Sequence, residues 1–281
     1  MSRADVLFKQ NCASILDDYN SDRNFNVRPK WSDGTPAHTF RKFCIVDRYD
    51  LREEFPILTL RPVPIKSAVD EMLWIWQKKS NDTHKLKSHV WDQWADKKGT
   101  IGKSYGYQQS IKYQYPEGLN TQLDHVLYEL KHNPMNRRLI VSMWNPADLK
   151  DMALAPCAYS MTFEVTDNGG RQLVLNGILN QRSQDMVVAN GWNTVQYAIL
   201  LMMVAQSVGM IAGEFVHVIA DCHIYDRHIP IVEELLKRKS YPAPIVKLNK
   251  DVKDFYDFTA DDVIVQNYQH NKQIRNIEVA I

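Results

Sequence analysis

The chain has 281 residues, enough to bury a substantial core as one large domain or two. Its 34 Lys and Arg against 33 Asp and Glu leave a formal charge of +1, which excludes the global basic field that drives nucleic-acid binding. Four scattered cysteines, Cys12, Cys44, Cys157 and Cys222, form no CxxC pair and fit a reducing cytosol better than a disulfide framework.

From the N-terminus, Met1 to Asp18 lacks a signal-peptide core, and an amphipathic helix is expected over Ala4 to Tyr19. A strand follows over Thr39 to Tyr49 and a helix over Ser67 to Lys78. The next helix, Thr121 to His132, carries Leu123, Val126, Leu127 and Leu130 at helical spacing and stops before Asn133-Pro134. Strands are expected at Arg138 to Trp144, Tyr159 to Thr166 and Arg171 to Asn180. Asp167-Asn168-Gly169-Gly170 supplies a hairpin turn between the last two. A helix over Asn193 to Ser207 contains the uncharged run Tyr197 to Val204. That run is too short for a bilayer, so the helix is expected at the centre of the fold. A strand at Phe215 to Ile219, a helix at Ile229 to Arg238 and a strand at Ile264 to Tyr268 complete the chain. Strands joined both by a hairpin and through helices imply a mixed sheet in an α+β fold, expected as a single domain over 1–281.

The chemistry concentrates between Trp144 and Asp185. Cys157 follows Pro156 and lies between Arg137-Arg138 upstream and Arg182 downstream. A thiol is a poor nucleophile at neutral pH unless nearby positive charge lowers its pKa, and arginine holds phosphate with two parallel hydrogen bonds. These residues suggest a cysteine enzyme acting on a phosphorylated substrate, but taken alone they favour a buried structural cysteine and a solvated arginine pair. Glu71, among Met72, Leu73, Trp74, Ile75 and Trp76, either snorkels to the surface or stays buried with its pKa raised toward neutrality. Asn193 is open to a role as N-cap of the core helix. His217, Asp221, Cys222, His223 and His228 fit no common zinc spacing, and no metal is expected.

Several motifs then fall into one order: EMLWIWQ from Glu71, HVWDQWAD from His89, IGKSYGYQ from Ile101, NRRLIVSMWNP from Asn136 and MALAPC from Met152. QRSQD follows from Gln181, WNTVQYA from Trp192, GEFVHVIADCHIYDRH from Gly213 and a terminal VAI ending at Ile281. This series resembles the thymidylate synthase family along nearly the whole chain, and Val27 to Thr39 resembles its Bacillus and Bacillus-phage branch in particular. The resemblance implies a mixed sheet flanked by helices around a buried central helix, with sheets packing together in a homodimer. It implies conversion of dUMP to dTMP with 5,10-methylenetetrahydrofolate as co-substrate, in the cytoplasm, without metal, membrane or DNA.

By the same resemblance Cys157 attacks C6 of the uracil ring, and Arg182 stabilises its thiolate and binds phosphate. Arg28 and Ser183 join it there, while Arg137 and Arg138 come from the partner subunit. Glu71 organises proton transfers through ordered water, and Tyr105 is associated with removal of the C5 proton. Asn193 complements O4 and N3–H of uracil and so favours dUMP over dCMP. Gln181 also belongs to the nucleotide site, and His223 and Tyr225, two apart on a strand and so on one side, bind the deoxyribose 3′-hydroxyl. Asp185, Trp91, Trp94 and Ile281 line the folate side, and Leu154 helps close it.

The chain departs from the family at Ala158, where many members have histidine; at Val188 to Trp192, where L-G-x-P-F is usual; and at Arg61 to Pro64, which replaces a more basic run. A dUMP 5-hydroxymethylase of the same superfamily is the alternative activity. An idle nucleotide- or RNA-binding relative is disfavoured by retention of Cys157, Glu71, Tyr105 and Asn193.

Overall fold

Six strands form one mixed sheet whose order follows from where the chain turns tightly and where it needs a helix to return. A computed structural model describes residues 1–17, 22–24, 26–167, 169–170 and 172–281. Asp18, Tyr19, Asn168 and Arg171, which the expected first helix, the hairpin turn and the fourth expected strand included, lie outside the described residues. In chain order the first half contains α1 (Arg3–Leu16), β1 (Asp22–Asn24), β2 (Thr39–Asp50), α2 (Ile65–Trp76), α3 (Gly106–Ser110), β3 (Lys112–Tyr115), β4 (Gly118–Thr121) and α4 (Gln122–His132). The second contains β5 (Ile140–Ser142), β6 (Ala158–Thr166), β7 (Val174–Asp185), α5 (Asn190–Ser207), β8 (Ile211–Tyr225), α6 (Ile229–Lys237), β9 (Ile245–Leu248) and β10 (Val263–Gln266).

The large sheet runs β1-β2-β8-β7-β6-β5. Only its β7–β8 pair is parallel. Parallel neighbours need a long crossover, and α5 supplies it. Laterally paired residues share a face, so Val141, Met161, Leu179, His217 and Asp47 form one row, each 2% exposed or less. The adjacent row, Ile140, Thr162, Ile178, Val216 and Arg48, lies on the opposite face.

The core helix forms as expected, with burial nearly all round: Val195 and Ala198 to Leu201 are wholly enclosed. It packs on β7 and β8 and against α2, whose Met72, Leu73, Trp74, Ile75 and Trp76 are all buried. Burying each such side chain stabilises by about 1.5–3 kcal/mol. The first turn of α4 is capped by Thr121, whose hydroxyl accepts from the Asp124 amide.

Boundaries differ where polar function interrupts apolar pattern. α5 begins at Asn190, three residues early, with Ala189 at its N-cap, so Asn193 is not the cap but donates its backbone N–H to the Ala189 carbonyl. β8 spans fifteen residues rather than the five expected, because His217, Asp221 and His223 break the apolar alternation without breaking the strand. β7 likewise runs on through the polar Gln181 to Asp185. β5 is shorter than expected, and β1, the β3–β4 hairpin and β9 carried no strong strand signal.

Candidate active site

The carboxyl ends of β7 and β8 and the first turn of α5 converge on a cavity of roughly 670 Å³, a size suited to a small-molecule ligand. β7 contributes Gln181, Arg182, Ser183 and Asp185; β8 contributes His223 and Tyr225; α5 contributes Trp192 and Asn193. Glu71 enters from α2. Trp91, Trp94, Tyr105, Leu154, Cys157, Arg28 and the C-terminal Ile281 complete the wall. Every residue singled out above for the site lines this cavity except Arg137 and Arg138, which are exposed elsewhere on the chain.

Cys157 sits on the turn into β6, held from both sides. Its backbone N–H donates to the Tyr105 hydroxyl at 2.9 Å, and its carbonyl accepts from the Arg182 amide at 2.9 Å. The Arg182 guanidinium donates to the carbonyls of Ala155 (2.7 Å) and Pro156 (3.1 Å) and reaches the Cys157 sulfur at 3.5 Å. Burial pushes the thiol pKa up, while Arg182, Tyr105 and Arg28 pull it down without outweighing burial. The expected lowering by positive charge is therefore present in kind but does not prevail in the net direction.

Glu71 is 7% exposed, and burial raises its pKa from 4.5 to about 7, as expected for a carboxyl on an apolar helix. Two indoles oppose that rise: Trp91 Nε1 donates to Oε1 at 2.9 Å and Trp192 Nε1 to Oε2 at 2.5 Å. Tyr105 takes φ +38°, a region non-glycine residues rarely occupy, and such strain persists only where the surroundings impose it. The next residue lies tight against the Ser80 backbone, where a Cβ on Gly106 would come within 1.9 Å of the carbonyl oxygen. Burial holds the Tyr105 phenol pKa well above 10.

Asn193 is oriented by two glutamines. Gln181 Nε2 donates to its Oδ1, and its Nδ2 donates to Gln196 Oε1, both at 3.1 Å. Each amide atom keeps one further hydrogen-bonding site. Gln181 Oε1 accepts in turn from buried His217 at 2.7 Å. Asp221, itself paired with Arg41, holds His223 Nδ1 at 2.8 Å, and the His223 and Tyr225 rings meet edge-on at 5.1 Å on one side of the strand.

Burial pushes the Asp185 carboxyl up, but His228, His223 and the Val187 amide outweigh it and hold the pKa below 3.8. The chain end is docked nearby: Ile281 and Lys30 exchange backbone hydrogen bonds of 3.0 and 2.7 Å, and His228 Nε2 meets the Glu278 carbonyl at 2.8 Å. Among the described residues, His217, Asp221, Cys222, His223 and His228 do not converge on a common point. His217 and His228, weighed above only as metal ligands, instead hold Gln181 and Asp185, and neither these roles nor that of Trp192 as a partner of Glu71 was legible, since each acts on a residue remote in the chain.

A family model described as thymidylate synthase matches residues 7–281. The thymidylate synthase of Bacillus licheniformis is 43% identical over 286 residues, covering 100% of both chains, and that of Bacillus phage phi3T is 42% identical with the same coverage. The structure of thermostable thymidylate synthase A from Bacillus subtilis matches with a TM-score of 0.88 and 41% identity, covering 98% of this chain and 99% of that one. These relatives are synthases, so the hydroxymethylase alternative is not favoured. With the fold, the cavity and this full-length similarity in agreement, the chain belongs to the thymidylate synthase family.

Proposed function

We propose that this cavity converts dUMP to dTMP, with 5,10-methylenetetrahydrofolate as co-substrate and dihydrofolate as second product, and that residues 1–281 act as one catalytic domain. The observation that carries this reading is the meeting of Cys157, Arg182, Glu71 and Asn193 in one cavity. The Cys157 sulfur adds to C6 of the uracil ring, so that C5 becomes nucleophilic. Arg182, 3.5 Å from that sulfur, favours its thiolate and, with Arg28 and Ser183, binds the phosphate. Asn193 selects uracil through the amide sites that Gln181 and Gln196 leave unused. His223 and Tyr225 bind the 3′-hydroxyl. Glu71, with a pKa of about 7, holds or releases a proton at neutral pH. Tyr105 remains a neutral phenol at that pH, and so takes part in C5 proton removal through its hydroxyl rather than as a phenolate.

The cavity suits a bulky second ligand beside the nucleotide: the indoles of Trp91 and Trp94 and the carboxylate of Asp185 share its wall, and Ile281 stands at its edge. When bound, the folate supplies the carbon and the hydride. Leu154 and Ile281 exclude water around them. The scheme assigns no step to a metal. A two-fold homodimer would bring Arg137 and Arg138 of each chain to the phosphate in its partner's cavity. The sheet face bearing Ile140, 50% exposed, and Ile178, 37% exposed, supports such an interface. No helix among the described residues is long and apolar enough to cross a membrane. Its cysteines are unpaired thiols, and we place the enzyme in the cytoplasm. Product analysis by mass with dUMP and the methylene folate tests the reading. dTMP is expected, and 5-hydroxymethyl-dUMP as main product, or no product, would overturn it.

A further inference from the structure

Trp192 stands where most of the family carries the phenylalanine of L-G-x-P-F, and a phenyl ring has no N–H to donate. Here the indole Nε1 reaches Glu71 Oε2 at 2.5 Å, while Trp91 takes Oε1 from the opposite wall at 2.9 Å. The carboxylate is thus gripped at both oxygens by donors from two different segments, the loop entering the Asp92–Trp94 turn and the first turn of α5. Trp192 is half-buried on the cavity wall and directly precedes Asn193. One turn of helix therefore presents both the base-reading amide and a hold on the proton-handling carboxyl.

We propose that Trp192 is a positioning residue for Glu71, fixing the second carboxylate oxygen and tying it to the turn that recognises the base. The proposal rests on the proton-transfer role assigned to Glu71 above. Its physical basis is that a hydrogen bond to a charged group is stronger than a neutral one, and strongest where water is excluded. Both indole donors also stabilise the ionised form against burial. The other groups facing Glu71 are Asp70 on its own helix, which disfavours its charge, Gln196, which favours it while donating its Nε2 hydrogen to the Ala68 carbonyl, and Tyr197 on α5, a neutral phenol. None of these replaces an indole N–H if it is removed.

The test is Trp192→Phe, which keeps an aromatic ring and removes the donor, measured beside wild type in dUMP methylation from pH 5.5 to 9. The expected result is a kcat about tenfold lower with KM for dUMP changed less than about twofold, corresponding to one lost hydrogen bond. The pH limb governed by Glu71 should move upward. In a Glu71→Gln background the same substitution should cost less than about twofold, since the ionisable carboxyl it positions is gone. Trp192→His, which retains a ring N–H, should recover part of the rate, and it stands in if the Phe variant does not fold. Unchanged kcat and pH profile in the Phe variant, or an equal loss in the Glu71→Gln background, would overturn the proposal and leave Trp192 a packing residue. If wild type itself forms no dTMP, the functional reading fails instead. Carboxyl-carbon NMR of Glu71 in the two proteins then decides the contact: an upward pKa in the Phe variant upholds it, and an identical titration removes it.

Discussion

Replacing Glu71 by glutamine should change how stability depends on pH, in a direction fixed by burial. The carboxyl ionises near 4.5 when exposed and near 7 when folded. At ~1.4 kcal/mol per pH unit, that difference makes the fold about 3 kcal/mol less stable above pH 7 than it would be with a neutral group there. The sign follows from proton uptake: between the two pKa values the folded state binds more protons than the unfolded one, so this contribution is fully favourable below pH 4.5 and is lost as pH rises to about 7. At 7% exposure little solvent screening reduces the figure. Glutamine removes the pH-dependent part but presents an NH2 to one of the two indole donors, leaving that N–H without an acceptor at a pH-independent cost of about 1–3 kcal/mol. Urea unfolding at one protein concentration, in steps from pH 5 to 8, separates the two effects. The variant should be less stable than wild type at pH 5 and gain on it steadily by pH 8. A stability difference that stays constant across that range would refute the buried, raised carboxyl.

Cys157→Ser should abolish dTMP formation while dUMP binding, followed by calorimetry, survives, because the phosphate and base contacts proposed above come from other residues; substantial turnover would remove the nucleophile assignment. Arg137→Ala or Arg138→Ala should weaken dUMP binding, and mixing either variant with Cys157→Ala should restore some activity, since one site of the mixed dimer would then hold an intact thiol and an intact arginine pair. A strictly monomeric protein on sedimentation, or no recovery after proven subunit exchange, would count against the shared site. Asn193→Asp should lower kcat/KM for dUMP about ten- to a hundredfold and raise relative activity on dCMP. An ionised aspartate would turn an oxygen toward Gln196 Oε1, now a hydrogen-bond partner at 3.1 Å, so the variant favours a protonated acid with the opposite edge pattern. Unaltered preference between the two nucleotides would refute this.

The core helix and the mixed sheet were legible because apolar residues there serve only packing, so periodicity and burial agree. Legibility failed along β7 and β8, where one side of each strand end is committed to the cavity. His223 and Tyr225 alternate correctly, yet the polar residues around them conceal a strand three times longer than the apolar segment Phe215 to Ile219. The start of α5 was misplaced for a related reason: Asn190, Gly191 and Trp192 read as loop, but Asn190 is fixed by Gln184 and Trp192 by Glu71, contacts made only once the chain has folded. Candidate site residues were found through motif order rather than local pattern. Residues that act on other residues, such as His217 on Gln181, have no such signature.

That pair explains how one of the two holds on Asn193 stays fixed while Glu71 titrates nearby. Gln181 Nε2 donates to both the Ser183 carbonyl and Asn193 Oδ1, so its Oε1 must accept, and the His217 nitrogen facing it must carry hydrogen. His217 Nδ1 is then a bare nitrogen, and it has no partner among the described residues. Protonating it would bury an unmatched N–H as well as a charge, and burial pushes the pKa of this ring down to about 3. The imidazole consequently stays neutral and keeps the same donor toward Gln181 through the whole range in which Glu71 titrates. The Gln181 hold on Asn193 is thereby insulated from that titration, and a pH dependence of turnover near 7 points to Glu71 rather than to His217.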